Sequence, residues 1–82
     1  MHQYKIIFSR HANRRIKLYK ISTNEIEKII KNTFLKEGKQ EIVEFVKGNN
    51  YPIKIVFVKE DKIITIITAY PLKKGRKNES LL

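Results

Sequence analysis

The chain has 82 residues, 41% of them hydrophobic, which is enough for one small domain and leaves no room for a second core. Its net charge of +10 predicts a polyanionic partner, either nucleic acid or an acidic protein. The absence of cysteine excludes disulfides and thiolate zinc sites, and with two histidines we expect neither a metal nor a cofactor. No apolar run is long enough for a membrane span and no signal peptide begins the chain, so we expect a cytoplasmic protein without a membrane partner.

The predicted elements begin with a strand and two helices. Residues 3–8 alternate in polarity as a short strand does. A helix is predicted over about 10–19, with Ser9 as its N-cap. A second helix begins at Ser22 with the capping box Ser22-x-x-Glu25, and we expect it to end at Gly38. Five residues of this helix are spaced for one buried face: Ile26, Ile29, Ile30, Thr33 and Phe34.

After Gly38 the hydrophobic period changes to that of strands, which are predicted over 39–46, 53–59 and 62–70. The fold class is therefore α+β, in the order β-α-α-β-β-β, with both N-terminal helices packed on one face of an antiparallel sheet. We expect a single domain over 1–76 and a flexible C-terminal tail over 77–82. The second sheet face needs a cover, which is the tail, a second copy in a homodimer or another partner. Its predicted residues are Ile64, Ile66, Val56 and Val58.

The stretch 9–19 carries the functional prediction. From position 10 to position 20 there are five Lys or Arg, one His and no acid. Three apolar residues share one helix face: Ala12, Ile16 and Tyr19. Three cations point away from that face: Arg10, Arg14 and Lys17. A first turn with Arg10 and His11 in place of Asp or Glu opposes the helix dipole, but suits a bound phosphate. The alternative is a lysine-rich surface helix.

Two short motifs resemble a known family. One is His11-Ala12-x-x-Arg15-Ile16, followed by Ile21-Ser22 at a helix start. The other is Ile67-Thr68-Ala69-Tyr70-Pro71, which follows a hydrophobic strand and an acidic turn. Both resemble motifs of small RelE-superfamily domains close to the BrnT and RelE/ParE toxins, and the resemblance covers roughly residues 4–76. Tyr19 stands where that pattern usually has a second arginine, and Lys20 where it favours a glycine.

RelE-like toxins are ribonucleases that cut mRNA, often on the ribosome. The resemblance therefore implies a metal-independent endoribonuclease of a toxin–antitoxin system, which binds RNA and is neutralised by an acidic antitoxin protein. In such a site His11 would transfer a proton, Arg15 would clamp the phosphate and Tyr70 would stack on a base or bond a phosphate. These three are the predicted catalytic residues. The predicted nucleic-acid-binding residues are Arg10, Arg14, Lys17, Lys73, Lys74 and Arg76.

Each predicted role has an ordinary alternative. His11 would bond a backbone group at the helix start, and Arg15 would pair with Glu41 or Glu44. Tyr70 would be a residue at the edge of the core, and the basic run after it a solvated tail. For the whole protein, the alternatives are a non-catalytic basic module that binds nucleic acid and a ParE-like toxin that acts on a protein target.

Overall fold

The structure is a computed structural model, and it describes residues 4–72. Strand β1 (Lys5–Phe8) is followed by helices α1 (Arg10–Tyr19) and α2 (Thr23–Lys31), and then by strands β2 (Gly38–Glu44), β3 (Ile53–Glu60) and β4 (Ile63–Pro71). Both helices pack on a four-stranded sheet with the order β1-β4-β3-β2. The predicted α+β class and element order are confirmed. Lys73, Lys74, Arg76 and the predicted tail 77–82 lie outside the described residues.

The sheet is mixed, whereas the sequence predicts an antiparallel one. β2–β3 and β3–β4 are antiparallel neighbours, but β1 pairs with β4 in parallel, from Lys5 opposite Ile63 to Phe8 opposite Ile66. Short connections join the last three strands, and these favour antiparallel pairs. The connection from β1 to β4 contains both helices and the strands β2 and β3, so it is long enough for the crossover that a parallel pair requires.

The core lies between the helices and one face of the sheet. α1 contributes Ala12 and Ile16, and α2 contributes Ile26 and Ile30, in each case four residues apart on one helix face. The fully buried large side chains of the sheet are Ile53, Ile55, Phe57, Ile64 and Ile66. The prediction that Ile64 and Ile66 lie on the second face is therefore wrong, because both contribute to this core.

A β-bulge in β4 decides which of its side chains face the helices. Among the described residues, Ile67 has no partner on β3, where the register shifts. Ile66 is buried before the bulge and Ala69 after it, so the alternation of faces is reset between them. As a result Thr68 and Tyr70 share the sheet face that points away from the helices.

No element within residues 4–72 covers that second face. Three exposed apolar residues lie on it: Ile7, Val43 and Ile63. The Thr68 hydroxyl is buried there without a hydrogen-bond partner in the described part of the chain. On the same face, Lys54 Nζ lies 2.9 Å from Glu41 Oε1.

α2 ends earlier than the sequence predicts. Its last helical residue is Lys31, and the Thr33 hydroxyl donates to the carbonyl oxygen of Ile29 at 2.6 Å. A side chain that satisfies a terminal carbonyl in this way competes with further helix. Phe34, predicted to be core, is consequently 83% exposed. Gly38 has a φ of 98° and begins β2, seven residues after the helix end.

The loop before β2 is joined to the β3–β4 turn by Glu37. Its carboxylate accepts a hydrogen bond from Lys59 Nζ at 2.5 Å and another from the backbone N–H of Asp61 at 3.1 Å. Lys59 Nζ also lies 5.5 Å from the centroid of the Tyr4 ring. The hydrogen bond from Lys59, followed by that from Asp61, lowers the pKa of Glu37. The same bond raises the pKa of Lys59.

Candidate nucleic-acid interface

The N-terminus of α1 is fixed to the middle of β4 by Ser9. Its backbone N–H donates to the carbonyl oxygen of Ile66 at 3.0 Å, and its hydroxyl donates to that of Ile67 at 2.8 Å. The hydroxyl oxygen also accepts the N–H of Ala12 at 3.0 Å, which confirms Ser9 as the N-cap. Because Ala12 and Ile16 then face the core, the opposite side of α1 faces solvent.

Three exposed cations form what we call the basic face of α1: Arg10, Arg14 and Lys17. Their spacing places them along one side of a helix with about 3.6 residues per turn. The ion pairs among residues 4–72 are Lys28–Glu25, Lys54–Glu41 and Lys59–Glu37. None of them neutralises a cation of α1, and the first turn of α1 contains no acid. The basic face is therefore positive charge open to solvent, which suits a polyanion.

His11 and Arg15 lie one turn apart on a flank of α1. The His11 side chain is exposed and the Arg15 side chain is half-buried. Within the described residues Arg15 forms no ion pair with Glu41 or Glu44, and Glu41 pairs with Lys54 instead. The spacing i, i+4 brings an imidazole and a guanidinium to neighbouring positions on the helix surface. These are the two kinds of group that the predicted cleavage chemistry requires.

Tyr70 lies elsewhere. It follows the buried Ala69 on β4, so its side chain is on the sheet face away from the helices. Its cross-strand partner there is Lys54. Hydrogen bonding to Glu41 is the main cause of the raised pKa of Lys54, and Tyr70 contributes further. The structure thus brings two of the predicted catalytic residues together on α1 and leaves Tyr70 on the opposite side of the sheet.

α1 ends in a Schellman motif at Lys20. The N–H of Ile21 donates to the carbonyl oxygen of Ile16 at 2.9 Å, and the N–H of Lys20 donates to that of Lys17 at 3.3 Å. Lys20 has φ 55° and ψ 47°, the left-handed conformation in which glycine is usual. A residue with a Cβ there costs about 1–2 kcal/mol. Ile16 and Ile21 are both buried and supply the hydrophobic contact of the motif.

The turn at Lys20 leaves a groove of about 560 Å³ between α1 and the start of α2. We call it the interhelical groove, and its lining residues are Asn13, Ile16, Lys17, Lys20, Ile21 and Thr23. The two buried isoleucines form its floor and the two exposed lysines part of its rim. It lies on the flank of α1 opposite His11, given the 3.6-residue turn. The groove was not predicted from the sequence, although Lys20, at a position where glycine is usual, could have indicated an unusual turn there.

Comparison with known proteins identifies a family. The family model described as a domain of unknown function, DUF4258, matches residues 8–71. That range includes both helices and the last three strands. The chain belongs to the DUF4258 family. No curated protein and no solved structure matches it. The DUF4258 match does not bear on the resemblance to RelE-like toxins or on ribonuclease activity, which stay predictions.

The described part of this DUF4258 domain contains neither a metal site nor a helix that could span a membrane. Over residues 4–72, no group of three or more His, Cys, Asp or Glu side chains is placed to hold a metal ion. In the same part of the chain, no helix is both long and apolar enough to cross a membrane.

Proposed function

We propose that the protein binds RNA through the basic face of α1. The observation that carries this proposal is a set of exposed cations on one helix side, with no ion pair among the described residues. Such cations displace condensed counterions when they meet a phosphate backbone, and this release supplies binding free energy. From Arg10 to Lys17 the helix rises about 10 Å, at about 1.5 Å per residue. Over that length the face presents three cations, which allow about three phosphate contacts with one strand.

The choice of RNA over DNA comes from the resemblance to RelE-like domains. The test is the anisotropy of a labelled single-stranded RNA oligonucleotide, titrated with protein at several KCl concentrations. Three phosphate contacts predict a slope of about −2 in log K against log [salt], at about −0.7 per contact. The same oligonucleotide as DNA, measured in parallel, reports the preference for RNA.

Arg14→Gln tests whether the basic face is the interface. The variant should bind more weakly, and its salt slope should be smaller by about 0.7 because one phosphate contact is lost. Lys31→Gln is the matched control, since it removes one exposed charge from α2 and forms no ion pair within residues 4–72. Equal effects of the two substitutions would contradict the proposal, because binding would then follow net charge alone.

A second candidate function is cleavage of the bound RNA without a metal ion. It is favoured by the position of His11 one turn from Arg15, next to the basic face. In this reaction a ribose 2′-oxygen attacks the adjacent phosphorus and the bond to the 5′-oxygen breaks, which leaves a 2′,3′-cyclic phosphate and a 5′-hydroxyl. The His11 imidazole would transfer one of the two protons, and Arg15 would stabilise the charge on the phosphoryl oxygens. Water would accept or supply the other proton.

Incubation of labelled mRNA with the protein in EDTA, with and without ribosomes, tests this second function. His11→Ala should abolish discrete cuts, and Arg15→Ala should reduce them strongly. Tyr70→Phe is the third variant. It tests whether Tyr70 takes part in cleavage at all, because its side chain lies across the sheet from α1. Cleavage by His11→Ala protein at the wild-type rate would refute the assignment. A shifted but intact RNA would refute cleavage and leave binding alone, whereas neither a shift nor a cut would favour the ParE-like alternative with a protein target.

We also propose that the protein acts in a toxin–antitoxin system, is cytoplasmic and forms a homodimer. The net charge of +10 supports an acidic partner, and the sheet face that no element of residues 4–72 covers offers room for a second copy or another protein. Induced expression in a bacterial host should slow growth if the protein is a toxin, and His11→Ala should relieve that effect. Normal growth with wild-type protein at equal abundance would argue against the toxin role.

A further inference from the structure

We propose that the interhelical groove is a nucleotide subsite for single-stranded RNA. An unstacked base would lie on the isoleucine floor, and its phosphate would meet Lys17 and Lys20. This inference rests on the proposed function and deepens it, because it names the class of RNA. It is carried by the lining of the groove, by the backbone conformation of Lys20 and by the position of Lys17.

The size and lining of the groove suit a nucleotide. Its volume of about 560 Å³ is within the range of small-molecule sites, about 300–1,000 Å³. The floor of Ile16 and Ile21 offers apolar surface to a base, while the rim offers cations to a phosphate. Asn13 and Thr23 add an amide and a hydroxyl that are able to bond a base edge or a ribose.

Lys20 is hard to explain by stability alone. It occupies a left-handed backbone position, in which glycine forms the same Schellman turn without the steric cost. The attraction of a cation to the C-terminal end of α1 offsets only part of that cost. Its side chain is exposed, and it forms no ion pair within the described residues. A strained residue that places an unpaired charge on the rim of a groove is what a binding site would retain.

Lys17 connects the groove to the rest of the interface. It belongs both to the basic face of α1 and to the rim of the groove. An RNA strand bound along α1 would therefore continue into the groove without leaving the positively charged surface. A base inside a duplex is paired and stacked and cannot lie on the floor, so single-stranded RNA is the predicted ligand.

The first experiment is a ¹H–¹⁵N NMR titration of the full chain with adenosine 5′-monophosphate, and separately with adenosine and with inorganic phosphate. The nucleotide should shift the amide signals over residues 16–23, and by more than either fragment does. Equal shifts with inorganic phosphate would overturn the proposal, because the groove would then be an anion site only. The absence of shifts over these residues would overturn it as well.

The second experiment compares RNA binding by wild-type protein, Lys20→Gly and the control Lys31→Gln. Lys20→Gly keeps the turn and removes the charge, so its affinity for single-stranded RNA should fall about five- to tenfold, with less than a twofold change for a duplex of the same sequence. An unchanged affinity of Lys20→Gly for single-stranded RNA would refute the subsite and leave the basic face intact. Failure of the wild-type protein to bind any RNA would refute the proposed function. The nucleotide titration would then show independently whether the groove binds a nucleotide.

Discussion

Replacement of Lys20 with glycine is expected to stabilise the fold. A side chain in the left-handed conformation costs about 1–2 kcal/mol, and glycine removes that cost. Glycine also increases the conformational freedom of the unfolded chain, which opposes the gain by about 0.4–1 kcal/mol. Relative to Lys20→Ala, which loses the same charge, the net increase in the free energy of unfolding is therefore about 0.5–1 kcal/mol, which corresponds to a rise in Tm of about 2–8 °C in a domain of this size.

Urea denaturation followed by circular dichroism at 222 nm measures this change. The m value should not change, because the surface exposed on unfolding is the same. Lys20→Ala is the first control, since it removes the same charge but keeps a Cβ and should lie within about 0.5 kcal/mol of wild type. Lys17→Gly is the second, because the same substitution inside α1 should destabilise the protein by about 1 kcal/mol.

Lys20→Gly should be more stable than Lys20→Ala, and an equal or lower free energy of unfolding would refute this explanation. That result would mean that the left-handed backbone of Lys20 is not the source of strain. Together with the RNA measurements, the expected outcome is a variant that is more stable and binds more weakly. This combination is the signature of a residue retained for function at a cost in stability.

Three further predictions concern residues with well-defined surroundings. Glu37→Gln should remove an acid-sensitive part of the stability. Because the pKa of Glu37 is lowered in the folded state, its contribution to the free energy of unfolding is complete above about pH 4.5 and is lost as the pH falls through the folded-state pKa. The urea midpoint of wild type should therefore fall more steeply with acid than that of the variant. Phe34→Ala should cost less than about 0.5 kcal/mol and Phe57→Ala about 3–5 kcal/mol in urea denaturation, and equal losses would contradict the early end of α2. Thr68→Val should raise the free energy of unfolding by about 1 kcal/mol because it removes a buried hydroxyl without a described partner, and a decrease would show that the hydroxyl is bonded.

Local sequence was enough to predict both helix starts and one helix end. Ser9 and Ser22 cap α1 and α2 as predicted, because an N-cap depends only on the next three residues. α1 ends at Tyr19 as predicted. The predicted end of α2 was wrong, because the Thr33 hydroxyl donates to a carbonyl oxygen that a longer helix would use.

In the candidate interface, too, some features follow from local sequence and others only from the tertiary structure. The basic face and the proximity of His11 to Arg15 follow from spacing inside a single helix, so periodicity alone predicts them. The position of Tyr70 does not follow from local spacing, because a bulge at Ile67 resets which side chains of β4 face the helices. The interhelical groove likewise exists only because Lys20 turns the chain from one helix into the next.

The sequence by itself determined the charge, the element order and the surface that α1 presents. These depend on residues within a few positions of each other, where helix and strand periods act directly. The tertiary structure alone decided the parallel pairing of β1 with β4, the side of the sheet on which Tyr70 lies and the groove beside Lys20. Such features depend on contacts like that of Ser9 with Ile67, which are 58 positions apart, and no local pattern encodes the geometry of a pair so distant in the chain.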